Sequence, residues 1–532
     1  MRDVLKRTGW LLLAFWLLLV FASVPTRSFI PIDETRYVTV AWNMWLRGDY
    51  LVPWLNGEAY HHKPPLLFWL INLGWWISGV NDTWPRMLPA LFSLVSAVLT
   101  IRLGRLLWPD RRDAAELAPL ILMTSLLWAI FTTATMFDIM LSSFALLGLC
   151  GMVEAGRATC TRDARRGFVL LALAIGGGLL AKGPVILLHL LPLAIAAPLW
   201  APAWAGRWRS WYRHLLLAFL AGTAIVLAWA IPAAIAGGET YTRAIFWGQT
   251  ANRMVNAFAH KRPFYWYLPL LPVMLFPWFW LPPIWRGLAR LVKRGDPGLR
   301  FLGVWLLPVF VFFCLISGKQ MHYLLPLFPG VALLFARALV EDPGKRFGAG
   351  LLPALPLFAL AGALLAGMKL PEPLHSTLKA PALFSAFFFI AIGFAVLELR
   401  RRTSALSTTL HLASGAALLV AFISFAVIPA AMKSLDVRPI SRHLAKLEVE
   451  RVDLAFFEED YPGIFDFVGR LRRPIAVFKS REEIVDWCTR HPDGRLIDIM
   501  RPKNVPADAE FVQDHFDRKL VVMRVSQAPH CQ

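Results

Sequence analysis

Residues 1–27 read MRDVLKRTGWLLLAFWLLLVFASVPTR, and the interpretation of this stretch decides the fold. Arg2, Lys6 and Arg7 precede an unbroken apolar run from Trp10 to Val24. A basic start followed by an apolar segment describes a secretory leader as well as a membrane span, and the two differ in what comes next. A leader needs small residues where it is cut; here the run ends on Pro25-Thr26-Arg27. The segment therefore reads as a retained first transmembrane helix with its N-terminus in the cytoplasm.

The rest of the chain repeats the pattern. Further apolar runs lie near 86–108, 114–133, 138–155, 167–181, 183–202, 215–237, 264–285, 301–317, 323–340, 349–368, 380–398 and 407–431. Each approaches the length that crosses a hydrocarbon core, giving about thirteen spans. Pro64 to Gly79 is also apolar but reads as an interfacial helix. A 532-residue chain that is 57% hydrophobic and 17% charged does not suit a soluble multidomain protein. Its 23 Trp and 37 Phe fit rings gathered at membrane interfaces.

A net charge of +20 raises nucleic acid as a partner, but the basic residues cluster in short loops between apolar runs. With alternating direction, the loops around Arg102–Arg112, Arg157–Arg166, Arg207–Arg213, Arg286–Arg300, Lys345–Arg346 and Arg400–Arg402 are all cytoplasmic and all basic. An odd number of spans then puts the tail outside, in the periplasm. The expected organisation is a transmembrane domain over 1–432, with a long first outer loop at 26–85, and a periplasmic domain over 433–532. Alternating stretches such as Leu454-Ala455-Phe456-Phe457 and Leu520-Val521-Val522-Met523 make the tail a small α/β domain. Five Cys are too few for a disulfide framework; Cys488 and Cys531 share the tail, and both pairing and two free thiols are open.

Most of the unusual polar residues fall on the outer side. Asp33 and Glu34 open an amphipathic segment in which Tyr37, Val40, Ala41, Met44 and Trp45 share one face, as in a helix lying along the membrane. Asp33 stands where an N-cap belongs, and a carboxylate at the membrane rim also suits function. His61-His62-Lys63-Pro64-Pro65 follows, with Lys63 at the mouth of a new helix, where either a phosphate or lipid headgroups suit it. Asp138 begins a span, and Lys182-Gly183-Pro184 forms a hairpin between two runs. Arg253, His260, Lys319 and Tyr323 lie in two further outer connections. Cations collected against the positive-inside bias point to a pocket for a phosphate or pyrophosphate.

Taken in order, Asp33 to Tyr37, Gly48 to Pro53, Leu55-Asn56-Gly57, Tyr60 to Pro65, Asp138, Lys182-Gly183-Pro184, His260 with Pro263 to Tyr267, and Lys319 to Pro326 resemble the GT-C membrane glycosyltransferases. The resemblance is to their aminoarabinose transferase branch, which is akin to protein O-mannosyltransferases, and covers residues 1 to about 330. It implies an α-helical polytopic GT-C enzyme of the bacterial inner membrane that takes a sugar, aminoarabinose-like or a hexose, from an undecaprenyl- or other polyprenyl-phosphate carrier. Lipid A is the first acceptor implied, and a protein, as in O-mannosylation, is the second. The residue matching Asp33 is essential in the family, Asp138 and Glu34 belong beside it, and Lys63 contacts the carrier phosphate with Lys182, Arg253, Lys319 and Tyr323 nearby. One position departs from the pattern. The residue before the Lys-Pro-Pro lysine is commonly Glu; here it is His62, so the divalent metal site that the family suggests becomes a His62–His260 pair for zinc.

A sugar phosphate is already activated, so no nucleotide-binding loop is needed, and none occurs. Lys63, Lys182 and Arg253 are suited to stabilise the leaving phosphate while the acceptor attacks the anomeric carbon from the opposite face, with inversion. Asp33 is a general base if the acceptor is a hydroxyl, and positions the sugar if it is an ionised phosphate. A lipid or solute transporter is the rival class; it would place ionisable groups near the midplane and show related halves, and neither is seen here.

Overall fold

A computed structural model of the protein describes every residue except 1, 159–160, 249–260, 343–349, 369–381, 402–403, 433–434, 458–460, 516 and 532. Arg253, His260 and Cys160 lie outside the described residues. In chain order the first helices are α1 (Arg2–Ser23), α2 (Asp33–Arg47), α3 (Leu66–Ser78), α4 (Thr83–Leu107), α5 (Arg112–Thr124), α6 (Leu126–Phe131), α7 (Asp138–Arg157), α8 (Thr161–Lys182) and α9 (Val185–Ile195). The chain divides into two compact units. The first holds Met1–Pro25, His62–Leu66 and Arg86–Phe425; the second holds Thr26–His61, Leu67–Pro85 and Ala426–Gln532.

The first unit is a helical bundle built for lipid. Among the described residues, seven helices are long and apolar enough to cross a membrane, and five apolar helices are shorter, α3 of the second unit among them. Exposed Leu216, Leu217, Leu220, Ile231 and Ile235 all lie on the helix Trp208–Arg243, an apolar surface that lipid satisfies and water does not. Among the described residues, three of the expected spans are plainly interrupted, and in 183–202 the helix stops at Ile195. The run at 114–133 breaks at Ser125, where the Thr124 and Ser125 hydroxyls donate back to the Leu120 and Ile121 carbonyls and the chain turns extended before α6. The run at 264–285 carries Pro269, Pro272, Pro277, Pro282 and Pro283, each lacking the N–H that a helix requires. It folds as short turns and a single turn of helix at Leu271–Met274, followed by the amphipathic helix Pro282–Arg294.

Small residues set the closest packing. A Cβ on Gly151 of α7 would meet the carbonyl oxygen of Gly167 on α8, and one on Gly167 would meet that of Gly151. The two helices cross with their backbones touching. At the basic end of the bundle, Arg286 and Arg290 both bind the fully buried Asp342 carboxylate, and Arg294, Arg337 and Arg111 share Glu341. Much of the basic charge read from the sequence is therefore paired.

In the second unit a five-stranded sheet runs in the order β4-β3-β5-β7-β6, with β3 (Leu454–Phe457), β4 (Ala476–Phe478), β5 (Arg495–Met500), β6 (Phe511–His515) and β7 (Arg518–Arg524). β3 is parallel to β4 and β5, while β7 is antiparallel to β5 and β6. Strand alternation divides the core in two. Phe456, Ile497, Leu520 and Val522 face the helix Arg438–Val449, while Ala455, Leu496, Val521 and Met523 face the helix Arg481–Arg490. Cys488 and Cys531 form a disulfide with Cα atoms 5.7 Å apart, deciding the pairing left open above.

α2 is not a helix lying on a surface. Tyr37, Val38, Val40, Ala41, Trp42 and Met44 are all buried. Thr39 donates to the Gly463 carbonyl at 2.8 Å, and the Trp42 indole donates to Leu471 at 2.7 Å. Asn56, just past β1 (Trp54–Leu55) of a small hairpin with β2 (Glu58–Ala59), exchanges two hydrogen bonds of 2.8 Å with the backbone of Ile475. The side of the helix away from the apolar stripe, at Thr39 and Trp42, is packed by the tail, hundreds of residues away in sequence, and Trp45 of the stripe meets the Trp75 ring edge-on.

Candidate functional site: an ion pair at two helix ends

In the first unit, Asp138 is the first residue of α7 and Lys182 the last of α8. Each charge lies where the helix dipole favours it, a carboxylate at an N-terminus and an ammonium at a C-terminus. The two side chains form an ion pair, with Asp138 1% and Lys182 9% exposed. Asp138 is therefore not acting as an N-cap: Phe137 holds that position. Its second oxygen, Oδ2, is buried with no hydrogen-bond partner among the described residues.

Gly183 makes this placement possible. Its φ of +72° lets the chain reverse straight after Lys182, with Pro184 leading into α9. A Cβ built there would stand 3.9 Å from the Pro64 ring, so the Lys63-Pro64-Pro65 segment packs on the α8–α9 turn. Lys63 Nζ lies 5.8 Å from the Phe137 ring centroid, next to Asp138 in sequence, and Lys182 Nζ lies 5.2 Å from the Tyr323 ring. The charges acting on the Asp138 carboxylate are Lys182, His322 and Lys63. His322 is wedged between the rings of Phe131 and Tyr323, at 5.6 and 4.9 Å. The cluster thus gathers two ammonium groups and an imidazole about the Asp138 carboxylate, a basic neighbourhood that suits a phosphate.

Lys319 is elsewhere occupied. It is 3% exposed, and its ammonium donates to the carbonyls of Arg262, at 3.1 Å, and Ile316. There it ties the end of the helix Pro297–Leu315 to the connection that carries Arg262, whose N–H donates to the Ser317 carbonyl. His322, in contrast, lies inside the Lys319 to Pro326 motif and carries no signal of its own in the sequence. Lone histidines carry no pattern, and only its contacts reveal it.

Asp33 and Glu34 belong to the second unit. Ile32 holds the N-cap position of α2, and Asp33, half-buried, accepts from the Tyr37 hydroxyl at 3.4 Å. Glu34 is 2% exposed and takes both Arg27 guanidinium nitrogens, at 2.5 and 3.2 Å, together with the Ile30 N–H at 3.0 Å. That fork holds the chain entering α2, leaving Asp33 the more accessible carboxylate. The Gly48-Asp49-Tyr50 motif has a structural explanation as well. Burial pushes the Asp49 carboxyl up, but bonds from the Trp54 indole and the Leu51 and Val52 N–H groups, with Arg47 nearby, hold it below the usual carboxylate range.

His62 is half-buried, and among the described residues no group of three or more His, Cys, Asp or Glu side chains gathers. A zinc site commonly takes three or four protein ligands, so the described donors do not make one, and no step below is routed through a metal.

Comparison with known proteins agrees with this architecture. Residues 7–242 match the family described as dolichyl-phosphate-mannose-protein mannosyltransferase. The undecaprenyl phosphate-α-4-amino-4-deoxy-L-arabinose arabinosyl transferase of Pseudomonas paraeruginosa is 32% identical over 510 residues, covering 90% of this chain and 86% of that protein. The enzyme of the same name from Edwardsiella ictaluri is 34% identical over 357 residues, 64% of this chain and 61% of that one. Among solved structures, ArnT from Cupriavidus metallidurans bound to undecaprenyl phosphate superposes with a TM-score of 0.76, covering 97% of this chain and 98% of that one at 21% identity. That likeness establishes the GT-C fold, and the sequence relatives establish the lineage. The chain is a multi-span membrane glycosyltransferase, and it belongs to the family of undecaprenyl phosphate-α-4-amino-4-deoxy-L-arabinose arabinosyl transferases.

Proposed function

We propose that this protein moves 4-amino-4-deoxy-L-arabinose from undecaprenyl phosphate to lipid A at the periplasmic face of the bacterial inner membrane. The observation that carries the proposal is the gathering of Lys63, Lys182 and His322 about the buried Asp138 carboxylate. Such a cluster binds a phosphate in the ground state and stabilises it better as it leaves with a further negative charge.

In the reaction, the bond from the anomeric carbon to the carrier phosphate breaks, and its electron pair stays with the phosphate. Lys63 meets that charge directly, and Lys182 is held in register by Asp138. Tyr323 offers its ring to Lys182 and its hydroxyl to the phosphate. Arg253 is assigned to the same phosphate by the family resemblance. The acceptor oxygen forms the new bond on the opposite face of the sugar, inverting it. The family resemblance assigns Asp33 the role of orienting the sugar when the acceptor is an ionised phosphate, and of taking the proton when it is a hydroxyl. Glu34 holds the entry to α2 through Arg27 and transfers no proton. The match of residues 7–242 to a protein mannosyltransferase family favours a second reading, with a protein hydroxyl as acceptor.

The test is transfer in detergent micelles, where no transport is possible, from synthetic aminoarabinosyl or mannosyl polyprenyl phosphate. Mass spectrometry of lipid A and of envelope proteins, with and without the protein, accompanies it. Loss of a pentosamine from lipid A supports the proposal; loss of a protein glycan instead moves it to the second reading. No transfer from either donor overturns both.

A further inference from the structure

His189 sits on α9, fully buried, and neither of its ring nitrogens has a hydrogen-bond partner among the described residues. A neutral imidazole carries one donor and one acceptor, and leaving both unmet in an apolar bundle costs stability for each. A histidine kept under those conditions has something to bind. The charges it senses are Lys182 and Asp138, and on its other side lies the Phe313 ring at 6.2 Å. Among the buried polar atoms that share its condition are Oδ2 of Asp138 and the hydroxyl of Ser142, one helical turn apart on α7. The helices bearing these groups pack closely, since a Cβ on Gly148 of α7 would strike Leu190, the residue after His189. Three unmatched polar side chains therefore lie on facing helices, just inside the ion pair.

We propose that His189 is a positioning residue for phosphate departure, binding buried water shared with Asp138 Oδ2 and Ser142. One oxygen of Asp138 grips Lys182; the other, held through water by His189 and Ser142, cannot swing. The carboxylate plane is thereby fixed, and with it the ammonium of Lys182. Ordered water with three polar partners is a common way to satisfy such groups. His189 touches neither donor nor acceptor. It acts only through Asp138, as outer partners commonly orient the groups that do contact a ligand.

This inference rests on the proposed sugar transfer, so it is tested by two measurements, one of them independent of activity. In the full-length protein, His189→Phe fills the space without nitrogen atoms, whereas His189→Gln keeps a donor and an acceptor. The expected result is a loss of about tenfold in kcat for His189→Phe, with donor KM nearly unchanged, and recovery to within about threefold in His189→Gln. Full activity of the Phe variant, or an equal loss in both, overturns the proposal. The second measurement is nitrogen-15 NMR of histidine-labelled protein, with His189 identified by its disappearance in His189→Gln. Asp138→Asn is expected to shift the His189 ring resonances, and unchanged resonances overturn the proposal. Should the unaltered protein fail to transfer sugar, the functional reading fails, while the NMR comparison still decides what His189 holds.

Discussion

Removal of either partner of the Asp138–Lys182 pair should cost more than removal of both. The pair is nearly dry, with side chains 1% and 9% exposed, so breaking it strands a charge that water cannot reach. Stranding one member of a buried pair typically costs about 3–5 kcal/mol, whereas replacing both with apolar residues of similar size is often near neutral. The two single variants are not equivalent here. In Lys182→Met, Asp138 keeps the attraction of His322 and Lys63, so the low end, about 3 kcal/mol, applies. In Asp138→Leu the cations lose the carboxylate between them, and the cost moves toward about 5 kcal/mol. The Asp138→Leu/Lys182→Met double variant should recover most of the loss and cost less than either single variant, while sugar transfer stays abolished in all three. The assay is unfolding of purified protein in detergent under identical conditions, paired with transfer measured in micelles. Single variants as stable as the wild type, or a double variant whose loss equals the sum of the singles, would refute the reasoning.

Four further predictions concern other parts of the molecule. Gly167→Leu should force α7 and α8 apart, because its side chain would enter the Gly151 backbone; loss of folded, detergent-soluble protein checks this, and a normal yield contradicts it. Burial pushes the Asp466 carboxyl up to about 6, although Tyr461 donates to it. Its folded value thus lies above the unfolded one, so its contribution is complete below about pH 4 and is lost as the pH rises through about 6. Asp466→Asn should therefore remove a pH-dependent penalty of about 3 kcal/mol from unfolding measured at pH 8, with little change at pH 4. Reduction of Cys488–Cys531 frees a loop of 43 residues and should lower the stability of the tail domain by up to about 4 kcal/mol, read from its melting with and without reductant. Metal analysis decides the histidine pair: about one zinc per chain, lost in His62→Ala, assigns His62 and His260, and equal metal in both preparations removes them.

The spans were legible because lipid demands long apolar runs whatever the tertiary packing. What hydropathy does not register is a missing N–H, and so the proline-rich run at 264–285 read as a span although it cannot stay helical. Asp138 and Lys182 were each legible as unusual outer-boundary residues, but not as partners. Their meeting depends on the α7–α8 crossing at Gly151 and Gly167 and on the reversal at Gly183. The face of α2 was misread because amphipathicity tells that a stripe is covered, not what covers it. Lys319 reads in the sequence as a cation near the carrier phosphate, whereas its ammonium donates to backbone carbonyls. His322 and His189 gave no sign at all: a single histidine in an apolar context has no spacing to recognise.

The long reach between α2 and the tail has a consequence for how the protein is made. Trp42 and its partner Leu471 are separated by 429 positions, and Asn56 and Ile475 by 419. At bacterial synthesis rates of roughly 5–20 residues per second, α2 waits about 20–90 seconds for the segment that will cover Thr39 and Trp42. Through that interval the Asp33-bearing helix is an unfinished apolar surface, exposed to lipid, to chaperones and to other nascent chains. A ribosome that stops short of residue 471 leaves a chain with most of its spans already made and Trp42 without its hydrogen-bond partner. Quality control of this enzyme is therefore decided late, by the arrival of the last hundred residues.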